Sequence, residues 1–418
     1  MTRFTKSCKF LFWCWLSSCL GTQLFAEELP EAKLLEGKSL RGEVAGIDGD
    51  WMLTLAAGDE EHHVSATQLV QWGTLGERED VQHVLLAGGS TLNVNSIEVS
   101  RDAITVESKV WQPTKFPLEL VRGVVFRPPS DRLARDKLLF NIAGATGIHD
   151  RLLLENGDRL EGRLVHDSDQ EEGEANGSRY QLETRTGPVA IPRDKVVTIT
   201  FNPAYVESPS LRDFHCRVGF RDGSRLDVAK FVPQKKYLEM RLAIGIDLKS
   251  KPFIRPSPWS LLTMLRPVSP RVVYLSDLPD LGYRHVPFLE INWPLVKDRN
   301  VSGGTMRAGD AVYEKGIAMH STSRVFYELD GQYRRFESDL AIDKSAGSSG
   351  SVVCQVVLVN SEGKLEPKFK SKVVRGGEPP IRVSIDVTGA KRLALVVGFA
   401  DRGDTWDHLN WLHARLIK

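Results

Sequence analysis

Eight residues near the C-terminal end, Asp401-Arg402-Gly403-Asp404-Thr405-Trp406-Asp407-His408, hold one tryptophan, one histidine and three carboxylates. These are groups that grip a sugar. An aromatic ring lies against the C–H face of the pyranose, and Asp or His side chains hydrogen-bond its hydroxyls. Trp406, Asp407 and His408 are therefore candidate carbohydrate-binding residues. His320, just after Gly316-Ile317-Ala318-Met319, and Trp293, within the stretch Pro287 to Val296, are two more. Each competes with a plainer role. Tryptophan is mostly buried on average, so Trp406 could fold back over a sheet edge, and His320 could do no more than orient a turn. Trp411 falls on an alternating strand and reads as core. Asp401, Asp404 and Asp407 recur at every third residue, which would suit a structural calcium ion held by loop oxygens. The spacing is not that of an EF-hand, and a solvated loop is the alternative.

No catalytic set is visible in residues 27–270. There is no Gly-x-Ser-x-Gly, no His-Glu-x-x-His and no phosphate-cradling glycine loop. His62 and His63 are adjacent, so on a strand they point to opposite faces and cannot share a metal. The region reads almost entirely as β-structure, which excludes the β/α barrel of many glycosidases. The expected protein is thus not an enzyme.

The elements that must position the C-terminal candidates read as short strands of a β-sandwich from about residue 271 to 418. Val272-Val273-Tyr274-Leu275-Ser276-Asp277-Leu278 opens it. Tyr313 to Ser323, Val325-Phe326-Tyr327-Glu328-Leu329, Tyr333 to Phe336 and Gly350 to Val359 follow, and Ile385 to Leu393 and Trp406 to Leu416 close it. This order of segments resembles the NPCBM family, a carbohydrate-binding module of the glycosyl hydrolase family 98 type that is often appended to glycoside hydrolases. The resemblance implies a jelly-roll-type sandwich and, as partner, a glycan of galactose type. Two departures stand out. The family closes on a Tyr-Asp-His-Ala-Asp-Trp-like run, where this chain has Trp406-Asp407-His408-Leu409-Asn410-Trp411, so Asn410 lacks a charge. The insert carrying Trp293 is the other.

The N-terminal half carries a divergent repeat. Gly-x-x-Leu-x-(Gly/Val) recurs at Gly37 to Gly42, Gly89 to Val94, Gly157 to Gly162 and Gly223 to Val228. Glycine suits a turn with positive φ, and leucine an inward strand position. Three copies continue into extended apolar runs ending in an aromatic residue: Val64 to Trp72, Phe116 to Phe126 and Val189 to Phe201. The fourth, Phe253 to Leu265, is broken by proline. Each unit reads as a small, strongly bent antiparallel module resembling Sm-like or SH3-like barrels. Between copies two and three, Pro129 to Ile142 reads as a short helix capped by Ser130. The acidic stretch Asp167 to Ser178 reads as a solvated hairpin tip. The expected fold is all-β: repeats one and two over 27–128, a helical connector over 129–150, repeats three and four over 151–270, and the sandwich over 271–418.

Residues 1–26 read as an export signal. Arg3, Lys6 and Lys9 precede the apolar run Phe10 to Leu20, which is too short to span a bilayer, and cleavage is expected after Ala26. A rival lipobox, Leu16-Ser17-Ser18-Cys19, would instead place a lipid on Cys19. No later segment is apolar enough to span a membrane. The chain has 55 Lys and Arg against 54 Asp and Glu, a formal net charge of +1, which gives no bulk attraction for nucleic acid. Of its 5 cysteines, three lie in the signal, leaving Cys216 and Cys354 and excluding a disulfide framework. The sequence therefore points to an exported protein, periplasmic, cell-surface or secreted, whose C-terminal module binds a glycan and whose β repeats act as spacers or docking modules. The alternative is an envelope assembly factor that reuses the sandwich without sugar binding.

Overall fold

In a computed structural model of the chain, residues 29–78, 81–165, 179–207, 213–232, 234–253, 257–288, 290–401 and 403–418 are described. Residues 1–26, read above as an export signal, with Cys19, and the whole acidic stretch Asp167 to Ser178 lie outside them. The glycines of the four Gly-x-x-Leu segments sit at hairpin turns with φ of 92° (Gly37), 90° (Gly89), 89° (Gly157) and 83° (Gly223), a region costly for residues with a Cβ. Leu92 and Leu226 are fully buried, and Leu40 and Leu160 pack partly buried against the same core.

Each turn joins the first two strands of a unit, and the same order of elements follows four times. Further strands lead to a single 3-10 turn, after which a last strand returns to pair with the first. Thus Leu69–Gly73 pairs with Glu31–Leu34, Val121–Val125 with Gln82–Leu86, Val196–Thr200 with Asp150–Leu154, and Leu262–Pro267 with Cys216–Phe220. The proline that interrupts the fourth sequence pattern opens its 3-10 turn: Pro258 takes the first helical position, where no N–H is needed, and Ser257 caps Trp259. The units are not separate beads. Last strands pair across units, Val121–Val125 with Val196–Thr200 and Leu262–Pro267 with Leu69–Gly73, so the four share one continuous sheet. They also share one core, with Trp51, Trp72, Trp111 and Phe220 among its large members. The helix runs Arg132–Ala143, and its cap is Asp131 rather than Ser130. Asp131 immediately precedes the first helical residue, so its carboxylate reaches the Ala134 N–H at 2.7 Å.

The C-terminal region is a two-sheet sandwich. One sheet orders Val296–Lys297, Gly316–His320, His408–Ile417, Arg335–Ile342 and Ile381–Asp386, with Val272–Tyr274 on His408–Ile417. The other orders Gly282–His285, Ser323–Glu328, Arg392–Phe399, Ser351–Val359 and Leu365–Lys370. Ser351–Val359 alternates as a half-buried strand should, turning Val352, Cys354, Val356 and Leu358 into the core. His408–Ile417 is instead buried along its whole length. Leu409, Trp411, Ala414 and Leu416 face the sandwich core, with a bulge at His413 (φ 50°) resetting the alternation. Its other face packs Leu412 against Met306, Tyr313 and Ala341.

The N-terminal body covers that second side through ion pairs. Glu314 receives Arg217 at 2.9 Å and Arg266 at 3.0 Å, with Arg225 at 3.8 Å. Burial alone would raise the Glu314 carboxyl, but these guanidiniums hold it well below the usual carboxylate range. Arg307 forks onto Glu77 at 2.5 Å and Asp136, on the helix, at 2.7 Å. Lys33 meets Asp339 at 3.1 Å at the other rim. Among the described residues no helix is long and apolar enough to cross a membrane.

Candidate functional site

Strand pairing builds the site. His320 ends the strand Gly316–His320, and His408 begins the adjacent strand; the two are direct cross-strand partners. Their rings come within 5.7 Å, centroid to centroid. Trp406, two residues before His408, has φ of 59°, and its carbonyl accepts from the His408 N–H at 2.7 Å, so the chain turns sharply there. The turn brings the Trp406 ring 5.3 Å from His408 and leaves the residue 50% exposed. Trp293 arrives from the insert and stacks on His320 at 4.7 Å with 9° between the planes, and it lies 5.4 Å from His408. The result is an aromatic row, Trp293–His320–His408–Trp406, ending on an open tryptophan.

His285 completes the row edge-on to His320 at 5.9 Å. Its Nδ1 accepts from the Trp293 N–H at 3.3 Å, so its Nε2–H donates to the Ser321 carbonyl at 3.1 Å. Tyr283 adds a bond to the Trp293 carbonyl at 3.0 Å. The insert is thus pinned at Trp293 while Val286, Phe288 and Ile291 project into solvent. Sequence reasoning missed His285. The tripeptide Tyr-Arg-His carries no signal, and only the pairing of His285 with Ser323 places it here.

His320 and His408 are held neutral. His320 donates from Nδ1 to the Ser321 carbonyl at 2.8 Å, leaving Nε2 as the acceptor of a neutral ring. Burial lowers its pKa, and burial together with His320 lowers that of His408 to about 4. The His408 Nδ1 is buried without a hydrogen-bond partner. Asp407 lies beneath the row, fully buried. Its carboxylate accepts from Ser321 Oγ at 2.5 Å and from the Ser351 N–H at 2.8 Å, which ties the Trp406 turn to both sheets. Burial pushes its pKa up to about 6. Both oxygens are engaged internally, so Asp407 positions the row from below.

Two aspartates of the loop, Asp401 and Asp407, take different partners. Asp401 pairs with Arg375 at 2.6 Å while Asp407 faces Ser321. Among the described residues no group of three or more His, Cys, Asp or Glu side chains could hold a metal ion. Asn410 is fully buried and donates to Asp343 at 2.8 Å, which also accepts from Asn300 and the Arg307 N–H, so its amide serves a packing network. Trp411 is fully buried in the sandwich core.

Residues 271–417 match the family model of the NPCBM/NEW2 domain. Among solved structures, the chain is similar to the CBM51-2 and INT domains of Clostridium perfringens ZmpB in complex with GlcNAc, at 26% identity and a TM-score of 0.32, covering 45% of this chain and 39% of that one. It is also similar to the CBM51 of Clostridium perfringens GH95 in complex with methyl-galactose, at 25% identity and a TM-score of 0.31, covering 35% of this chain and 99% of that one. The tandem CBM51 modules of the family 98 glycoside hydrolase Sp3GH98 from Streptococcus pneumoniae SP3-BS71 are 12% identical, with a TM-score of 0.31, over 66% of this chain and 90% of that one. No curated protein matches the chain.

Proposed function

We propose that this is an exported, non-enzymatic glycan-binding protein. Its sandwich takes a sugar ring on Trp406, with the row Trp293–His320–His408 beside it. The four N-terminal units, each a small barrel-like module, form the platform that carries the sandwich. The observation that supports the reading best is the match of residues 271–417 to the NPCBM/NEW2 domain, joined to a half-exposed tryptophan at the end of a prebuilt aromatic row. Trp406 supplies the ring face. The neutral His320 Nε2 accepts from a hydroxyl, and Asp407 holds the turn rather than touching the ligand.

Single modules bind weakly, so the expected affinity is about 10⁻³ to 10⁻⁵ M, or about −4 to −7 kcal/mol. Titration of the full chain with methyl-galactoside and with GlcNAc, alongside a glycan array, tests it. Loss of binding in Trp406→Ala with an unchanged melting temperature supports the site. A full chain that binds no glycan on the array overturns the reading in favour of envelope assembly.

A further inference from the structure

A second concave site lies between the N-terminal body and the sandwich, away from the Trp406 turn. It is a cleft of about 600 Å³, within the range that accommodates small ligands. The helix Arg132–Ala143 forms one wall with Asp136 and Phe140, the sandwich forms the other with Lys297, Asp298 and Tyr313, and Arg217 and Glu314 lie between them. The lining carries six Arg or Lys side chains against four Asp or Glu.

Several of those cations have unused donors. Arg299 makes no salt bridge among the described residues; its guanidinium lies 4.0 Å over the Phe140 ring, across the domain boundary. Arg225 approaches Glu314 only at 3.8 Å, beyond hydrogen-bond distance. Arg266 is 8% exposed, bonds Glu314 through Nη2, and keeps Nη1 without a hydrogen-bond partner among the described residues. A guanidinium fork matches a planar carboxylate in two parallel hydrogen bonds. The same lining holds the half-buried Asp298, whose carboxylate would repel a bare multivalent anion but can accept hydrogen bonds from hydroxyls. Phe140 and Tyr313 add ring faces. One ligand class satisfies all three features: a polyol with one acidic group, small enough to fill the cleft.

We propose that the interdomain cleft binds a carboxylated saccharide of one or two rings, with its carboxylate toward Arg299 and Arg225. This site is independent of the Trp406 face. The sandwich supplies half of it and the N-terminal body the other half, so neither region carries it alone.

Titration of the full chain with galacturonic acid at low salt tests the proposal, with galactose and sodium sulfate as the other arms. The expected result is a dissociation constant in the millimolar range, weakened about fivefold or more by Arg299→Gln and by raising the salt to ~0.3 M, where the Debye length falls below ~8 Å. The same titration in a Trp406→Ala background removes any binding at the loop-end face, so the affinity that remains there belongs to the cleft. Should Arg299→Gln fail to fold, Arg225→Gln carries the same expectation. No galacturonate binding at tens of millimolar, equal affinity in the folded variant, or loss of binding in Trp406→Ala overturns the site. Sulfate binding as tightly as galacturonate, with the same dependence on Arg299, overturns the saccharide assignment.

Discussion

The strand His408–Ile417 has two neighbourhoods built on opposite principles. At its start, Trp406, His408 and His320 gather apolar and neutral groups and leave one ring open to water. Along the rest, the face turned from the sandwich core lies near Glu314, Arg307 and Tyr313, where charge meets countercharge under the N-terminal body. The first has surface to offer a ligand. The second has spent its carboxylates in holding two regions together and keeps free donors only on the cations that line the neighbouring cleft. Polarity alone does not separate a site from a seam, since both are rich in polar groups. What separates them is whether the hydrogen-bonding and contact capacity is already spent.

The hardest test of that contrast is Glu314→Ala. It strips the shared acceptor from Arg217 and Arg266 in a buried setting, where breaking a paired charge costs about 3–5 kcal/mol. A large fall in melting temperature with galactoside binding retained would uphold the division, and lost sugar binding would erase it. By linkage, the stabilisation from Glu314 is present above about pH 4.5, its ordinary value, and is lost as pH falls toward its depressed folded value. Next comes the pair of tryptophans on either side of His408. Trp411→Ala should cost about 3–5 kcal/mol in thermal unfolding and leave residual binding in the folded fraction.

A smaller effect concerns pH. His408 and His83 have folded pKa values near 4, below the ordinary 6.5, so each binds fewer protons when folded and stability falls on acidification from about pH 6.5 to about 4. Asp407 acts the other way: raised from 3.8 to about 6, it binds more protons when folded and offsets part of that fall. Asp407→Asn should steepen the loss by about 1.4 kcal/mol per pH unit between pH 4 and 6, read as melting temperature against pH. An unchanged slope would remove Asp407 from beneath the row. The smallest stability effect is expected for Trp406→Ala, under about 1 kcal/mol, because half of that side chain is already in water.

Legibility in the sequence followed the range of the interactions. The four Gly-x-x-Leu turns, the succession of strand segments along the sandwich and the core position of Trp411 depend on neighbours a few residues away, and local pattern records them. Trp406, His408, His320 and Trp293 were legible as residue types, and strand pairing brings them together. The inward turn of Asp407 was not, because it depends on Ser321 and Ser351, far away in the chain. Glu314, Arg307 and Arg217 carry no local signal for the same reason. The fourth unit appeared broken because a proline that opens a 3-10 turn looks locally like one that ends a strand.

The junction between the two regions is short. The strand Leu262–Pro267 belongs to the N-terminal sheet and Val272–Tyr274 to the sandwich, and the residues between are pinned by Val268 N–H to His215 O at 3.0 Å and Val272 N–H to Ser269 O at 3.1 Å. At about 3.5 Å per residue, so brief a passage leaves no slack for the sandwich to swivel. The proposed sugar face at Trp406 would therefore have a fixed bearing on the molecule, unlike a module on a tether, which searches a sphere. On a polysaccharide surface, a fixed bearing means that capture also orients the bearer, presenting the same side of the four-unit platform outward at every landing. Two copies could engage neighbouring chains together only where the spacing of the glycans matches the geometry of the protein.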